Sequence, residues 1–139
     1  MSQVAELAND QGFVLVDTVD GVAVAGIGLP SLRERQAVMM LDKLRQVAGR
    51  HGGRLAVSLT EVIDLNSACI NALVEVHRHC RELGGQIVVF GLRPQLRKLF
   101  HTTGIDKILP VADDCEQAVK VFARAGRWSP FRKRGRDAA

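Results

Sequence analysis

The chain has 139 residues, of which 47% are hydrophobic and 24% are charged, and its formal net charge at pH 7 is +4. This length and balance are typical of one globular domain. No run of about 20 apolar residues predicts a transmembrane helix. The N-terminus lacks the basic start and apolar run of a signal peptide, so we expect a cytoplasmic protein.

The positive charge lies at the C-terminal end of the chain. From Arg124 onward, six basic side chains are balanced only by Asp137, which leaves the rest of the chain close to neutral. A nucleic-acid-binding domain carries a basic face on its folded part, so we expect no direct contact with nucleic acid. We divide the chain into an N-terminal extension (1–12), a folded domain (13–125) and a basic, disordered tail (126–139). Membrane contact by the chain itself is expected only through this tail.

In the first half of the chain, two β-branched, apolar segments, 13–19 and 22–27, are separated by Asp20-Gly21. Asp-Gly is favoured in two-residue hairpin turns, so the pattern predicts a pair of antiparallel strands. A helix is predicted at Ser31–Arg50, because apolar residues recur there with helical period and Ser31 has Glu34 at capping-box spacing.

The second half of the chain alternates between strands and helices. We predict strands at 54–59, 86–91 and 108–111, and helices at 67–83, 94–103 and 113–125. The strand at 86–91 is apolar without interruption, which is typical of a strand buried on both faces of a sheet. The order β-β-α-β-α-β-α-β-α predicts a single α/β domain with a four- to five-stranded, mostly parallel or mixed sheet and about four helices.

The chain contains three cysteines, Cys69, Cys80 and Cys115. An odd, low number argues against a disulfide framework. Cys69 and Cys80 are about 16 Å apart on one predicted helix and cannot pair, whereas a bridge from either to Cys115 stays open. Cys69 is either a buried core residue or a thiol whose pKa is lowered by the helix N-terminus. Cys69 and Cys115 are therefore the candidates for a redox response.

Motifs for catalysis, cofactor binding and metal binding are absent from the sequence. There is no nucleophile elbow and no phosphate-binding Gly-Lys-Ser/Thr loop. Gly26 and Gly28 lack the third glycine of a dinucleotide fingerprint. The histidines and cysteines lack the paired spacing of zinc ligands. We predict a protein that is not an enzyme and uses no cofactor or metal.

One stretch resembles a known signature. Residues 59–73, LTEVIDLNSACINAL, resemble the central motif of STAS domains, the family of anti-sigma factor antagonists and of cytoplasmic domains of sulfate transporters. In that family a strand leads into an Asp-Ser-Ser/Thr-Gly loop, which is followed by a helix. The run 84–94, GGQIVVFGLRP, resembles the next strand of the family, and Thr103-Gly104-Ile105 resembles the approach to the last strand. The resemblance implies a STAS fold over about 13–122.

The resemblance also implies a function. Antagonists of this family bind an anti-sigma factor, which is often a serine kinase, and phosphorylation of the serine after the aspartate abolishes binding. Asn66 matches the aspartate, Ser67 the phosphorylated serine, Ala68 the following Ser/Thr and Cys69 the glycine. The predicted partner-binding surface combines this loop with the exposed side of the next helix and the loop after the second strand: Asn66, Ser67, Ala68, Cys69, Asn71, Glu75, Gly28 and Leu29.

Physical chemistry supports two interpretations of Ser67. A helix N-terminus tolerates an added phosphate, which suits a reversible switch. Serine is also a preferred N-cap and needs no other role, and Asn66 can serve as the cap equally well. Two other functions stay open: a STAS accessory subunit that docks on the ATPase of a lipid transporter, and a redox-responsive antagonist that uses Cys69 and Cys115. The sequence leaves both a monomer and a homodimer open.

Overall fold

The structure is a computed structural model that describes residues 12–127. The predicted N-terminal extension, up to residue 11, and the predicted tail from residue 128 lie outside these residues. The strands are β1 (Val14–Val19), β2 (Val22–Ile27), β3 (Ser31–Leu32), β4 (Arg54–Ser58), β5 (Asp64–Leu65), β6 (Gln86–Phe90) and β7 (Val111–Ala112). The α-helices are α1 (Glu34–Gly49), α2 (Ser67–Glu82), α3 (Pro94–Thr102) and α4 (Cys115–Arg127).

Five strands form one mixed sheet in the order β1-β2-β4-β6-β7. β1 and β2 pair antiparallel, and the other neighbours pair parallel. Asp20 and Gly21 join the first two strands with φ angles of 52° and 80°, the left-handed conformation that a two-residue hairpin turn requires. The predicted α/β fold, the mixed sheet of five strands and the order of the main elements are confirmed.

The central strands are buried on both faces, as the uninterrupted apolar run predicts. In β6, Ile87 and Val89 belong to the core that includes α1, α2 and α3, whereas Val88 and Phe90 belong to the core under α4. Successive strand residues point to opposite faces, so one short strand contributes to two cores. Three helices therefore cover one face of the sheet and α4 covers the other.

The start of the first helix differs from the prediction. Residues 31–32 form β3, which pairs in parallel with β5, and α1 begins only at Glu34. Arg33 is the N-cap residue, and its N–H donates to Gln36 Oε1 at 3.0 Å. The Ser31–Glu34 capping box is therefore wrong, because the Ser31 hydroxyl donates instead to Asp64 Oδ1 at 2.9 Å.

The last predicted strand is also displaced. Val111–Ala112 forms β7, whereas residues 105–107 form a 3₁₀ turn and the Ile108 side chain is exposed. The Leu109 N–H donates to the Ile105 carbonyl at 2.8 Å, so this apolar segment folds as a local turn instead of pairing with β6. The last helix is capped by Asp114, whose Oδ1 accepts the Gln117 N–H at 2.9 Å.

A half-buried histidine makes the stability of this fold depend on pH. His77 Nδ1 accepts the Ile87 N–H at 3.2 Å and so joins α2 to β6. Burial, with a smaller contribution from Arg81, lowers the pKa of His77 below its usual value. The unfolded chain therefore binds more protons than the folded one as the pH falls through about 6.5, and stability declines with it.

We expect the free energy of unfolding, measured with urea, to decrease between pH 7.5 and pH 5. His77→Gln should reduce this decrease, because the substituted side chain does not titrate. His79→Gln, on the same helix, is the control and should keep the dependence of the wild type. Equal pH dependence in the wild type and His77→Gln would remove His77 as its cause.

Candidate functional site

The candidate site lies where the chain, after β4, passes through β5 into α2. Asn66 caps this helix: its backbone is extended, and its Oδ1 accepts the Cys69 N–H at 3.2 Å. The Asn66 carbonyl also accepts the Ile70 N–H at 3.2 Å. Ser67 is the first helical residue and is exposed. Of the two predicted caps, Asn66 is the one observed, and the Ser67 hydroxyl is not used for capping.

The next two residues turn inward. Ala68 is half-buried, and the side chain of Cys69 is fully buried and donates from Sγ to the Arg33 carbonyl at 3.5 Å. Burial raises the pKa of the Cys69 thiol, although the hydrogen bond at Asn66 acts in the opposite direction. The predicted core position of Cys69 is confirmed, and the alternative of a thiol with a lowered pKa is wrong, because desolvation outweighs the effect of the helix N-terminus.

The other cysteines are also free. Cys80 is fully buried, and burial raises its pKa to about 12. Cys115 is half-buried in the first turn of α4. The disulfides to Cys115 that the sequence leaves open are not formed.

Thiol labelling of the native protein should therefore be selective. At pH 8, a water-soluble disulfide reagent is expected to modify Cys115 well before Cys69 or Cys80, because the thiolate is the reacting form and the buried thiols are both protonated and inaccessible. Peptide mapping by mass spectrometry identifies the labelled residue, and labelling in denaturant gives the reference for equal access. Rapid native labelling of Cys69 would contradict its buried position.

A second loop, the predicted Gly28–Leu29 part of the surface, is held against the first. The Pro30 carbonyl accepts the N–H groups of Ile63 at 2.7 Å and Asp64 at 3.1 Å. The β3–β5 pair continues this contact towards Asn66. Gly28 is exposed and Leu29 is half-buried. The structure therefore brings the two predicted loops into one surface.

The predicted helix positions extend this surface along α2. Ser67, Asn71 and Glu75 are spaced by four residues and are all exposed, so they lie along one side of the helix. Glu75 Oε2 pairs with Arg78 Nη1 at 2.7 Å, and both side chains are more than half exposed. Such a surface pair contributes little to stability, which leaves these groups available to a partner.

A polar cluster at this surface is not predicted by the sequence. Asp64 Oδ1 accepts the Ser31 hydroxyl and lies 3.8 Å from Arg33 Nη2. These residues are 33 and 31 positions apart, and no local spacing connects them. Ile63, beside the cluster, exposes 47% of its surface and adds an apolar element. The sequence could have indicated this cluster only if the parallel pairing of the two loops had itself been predicted.

The described residues contain neither a group of side chains that could bind a metal ion nor a helix that could span a membrane. Residues 12–127 contain no group of three His, Cys, Asp or Glu side chains placed to hold a metal ion. Within the same residues, no helix is both long enough and apolar enough to cross a membrane. The surface formed by the loops and α2 presents an exposed hydroxyl, amide and charged groups and an apolar side chain.

The family is decided by a match over most of the fold. A family model described as "Mlab, STAS domain" matches residues 16–110. The chain belongs to the STAS domain family. The predicted resemblance is thereby confirmed. We call the segment Asn66–Cys69, which resembles the central motif of the family, the STAS loop.

Several known proteins similar to this STAS chain are named as anti-sigma factor antagonists. BtrV of Bordetella bronchiseptica, provisionally named an anti-sigma factor antagonist, is 25% identical over 111 residues, which cover 79% of this chain and 94% of BtrV. A STAS anti-sigma factor antagonist protein of Planctomyces limnophilus shares the fold, with 19% identity and a TM-score of 0.72 over 79% of this chain and 97% of that one. The phosphorylated form of the Bacillus cell fate determinant SpoIIAA shares it with 14% identity and a TM-score of 0.55, over 81% and 98% of the chains.

Proposed function

We propose that this STAS protein is an anti-sigma factor antagonist that binds its partner through the surface formed by the two loops and α2. The observation that carries the proposal is the use of Asn66 as the cap, which leaves the Ser67 hydroxyl exposed at the first position of α2. The similarity to BtrV supports the same role. The protein would act by binding and not by catalysis.

The surface formed by the two loops and α2 is suited to bind a partner as one rigid face. The β3–β5 pair and the backbone bonds from Pro30 hold both loops in place before binding, which reduces the entropy lost on association. The Ser67–Glu75 side of α2 and the exposed part of Ile63 provide polar and apolar contacts. The anti-sigma factor would thus contact residues from both loops at once.

Phosphorylation of Ser67 would release the partner. A serine kinase, which can be the anti-sigma factor itself, would transfer the γ-phosphoryl group of ATP to Ser67 Oγ. A bond forms between Oγ and phosphorus, the bond from that phosphorus to the leaving ADP breaks, and the serine proton passes to the kinase or to water. The fold would tolerate the product, because phosphate at a helix N-terminus meets free N–H groups and a favourable dipole.

The test combines binding with phosphotransfer. Calorimetric titration against each anti-sigma factor of the same genome should give one saturable complex, and incubation with that protein and ATP should add one phosphoryl group to Ser67, as read by peptide mass. Ser67→Ala should bind and gain no mass. No binding to any of them would overturn the proposal. Co-purification with an ATPase and membrane subunits would favour the transporter alternative in its place.

A further inference from the structure

Arg33 lies at a position where its side chain has no role in capping. Ser, Thr, Asp and Asn are the residues whose side chains cap a helix, and arginine is not among them. At the start of α1 the contact is made from the other side, because the Gln36 side chain accepts the N–H of Arg33. The guanidinium instead reaches out to Asp64 at 3.8 Å. The cap of helix α1 therefore does not depend on this side chain, whose charge is engaged only in an exposed pair with Asp64.

Two contacts place Arg33 beside the start of α2. Its carbonyl accepts from Cys69 Sγ at 3.5 Å, and the preceding carbonyl, of Leu32, accepts the Asn66 N–H at 3.4 Å. The positive charge of Arg33 also acts to lower the pKa of Cys69, against the larger effect of burial. Asn66 directly precedes Ser67 and Cys69 follows it by two residues, so the exposed serine lies close to the segment that carries Arg33.

Resting on the proposed phosphorylation of Ser67, we propose that Arg33 is the acceptor of that phosphate: its guanidinium leaves the Asp64 carboxylate and pairs with the phosphate oxygens. The magnitudes favour this exchange. The Arg33 and Asp64 side chains are 62% and 56% exposed, and a pair of this kind contributes at most about 1 kcal/mol. A phosphate carries nearly two negative charges and accepts the planar guanidinium with two hydrogen bonds.

The exchange would change the partner-binding surface at two places. The phosphate appears at the start of α2, and Asp64, now without its cation, presents an uncompensated carboxylate on β5. The charges of Glu34 and Arg33 both act on the Cys69 thiol. That thiol lies two residues after Ser67, and Asp64 is the carboxylate paired with Arg33. The phosphate would therefore meet two acidic groups, which Arg33 would offset. Phosphorylation would thus repel a partner that fits the unmodified surface more strongly than a single charge does.

The test measures the phosphate itself and needs neither kinase nor partner. Phosphoserine is incorporated at position 67 during translation, and the second pKa of the phosphate is followed by ³¹P NMR. The nearby guanidinium favours the dianion, so Arg33→Gln should raise that pKa by about half a unit. Arg33→Lys should restore part of the difference. Arg35→Gln, which removes an exposed arginine from the same helix, should leave the pKa unchanged.

A second comparison distinguishes direct pairing of Arg33 with the phosphate from a long-range electrostatic effect of Arg33 on the phosphate pKa. In Asp64→Asn, Arg33 has no competing carboxylate, and the effect of Arg33→Gln on the phosphate pKa should be larger than in the wild-type background. An equal pKa in wild type and Arg33→Gln would overturn the inference, whatever the partner does. The proposed function fails by a different result, equal affinity of the phosphorylated and unmodified proteins for the anti-sigma factor.

Discussion

Ser67→Glu is expected to weaken binding to the anti-sigma factor by about 100-fold, or about 2.7 kcal/mol. The substitution places a permanent negative charge at the exposed first position of α2, in the centre of the proposed binding surface. Desolvating an unpaired charge, or placing it beside a like charge, costs several kcal/mol at an interface. The affinity is measured by calorimetric titration with the purified partner.

Two variants make the result specific to this position. Ser67→Ala should bind within a few-fold of the wild type, because Asn66 and not Ser67 caps the helix. Gln117→Glu adds the same charge to the first turn of α4, on the opposite face of the sheet, and should leave the affinity unchanged. Wild-type affinity of Ser67→Glu would place the partner elsewhere on the protein.

Gly85→Ala is expected to destabilise the fold by about 3 kcal/mol, since overpacking of this kind has costs of that order. A methyl group on Gly85 would overlap the backbone of Gly53, and it would lie 3.0 Å from the Arg54 nitrogen. The neighbouring backbones are held there by the bond from the Gln86 N–H to the Gly53 carbonyl, at 2.9 Å. No side-chain rotation can relieve the overlap, so parallel strands β4 and β6 must separate where they begin.

Gly49→Ala is the matched control for this measurement. Gly49 is the last residue of α1, and an added Cβ there meets no atom within 4 Å beyond its chain neighbours and the backbone of its own helix. Alanine is a better helix former than glycine, so the variant should be as stable as the wild type or more stable, by up to about 1 kcal/mol. Both are compared by urea unfolding at one pH. A Gly85→Ala variant as stable as Gly49→Ala would show that the backbones are not in close contact.

The burial of Cys69 removes one of the two cysteines proposed for the redox-responsive antagonist. A buried thiol with a raised pKa is a poor nucleophile, so a response to oxidants would have to use Cys115. That part of the alternative stays a prediction, and the labelling experiment described above tests whether Cys115 is accessible.

Local patterns were sufficient to predict the framework of this protein. The hairpin at Asp20-Gly21, the doubly buried strand β6 and the helix after the STAS loop depend on residues close together in sequence, whose turn preferences and periodicity act before any distant contact forms. A second local feature, the motif at residues 59–73, was sufficient to predict the family. At residues 108–109, the start of the strand predicted at 108–111, a local turn that begins at residue 105 replaced the strand.

The working details of the surface depend on contacts between distant segments. The sequence places Asn66, Ser67 and Cys69 at the start of a helix, but only the packed structure decides that Asn66 is the cap, that the Ser67 hydroxyl is left exposed and that Cys69 is buried under Arg33. The pairing of β3 with β5, and with it the contact of Arg33 and Asp64, joins residues more than 30 positions apart. Pairing at that separation is set by the packing of both helices on the sheet, which no local spacing encodes.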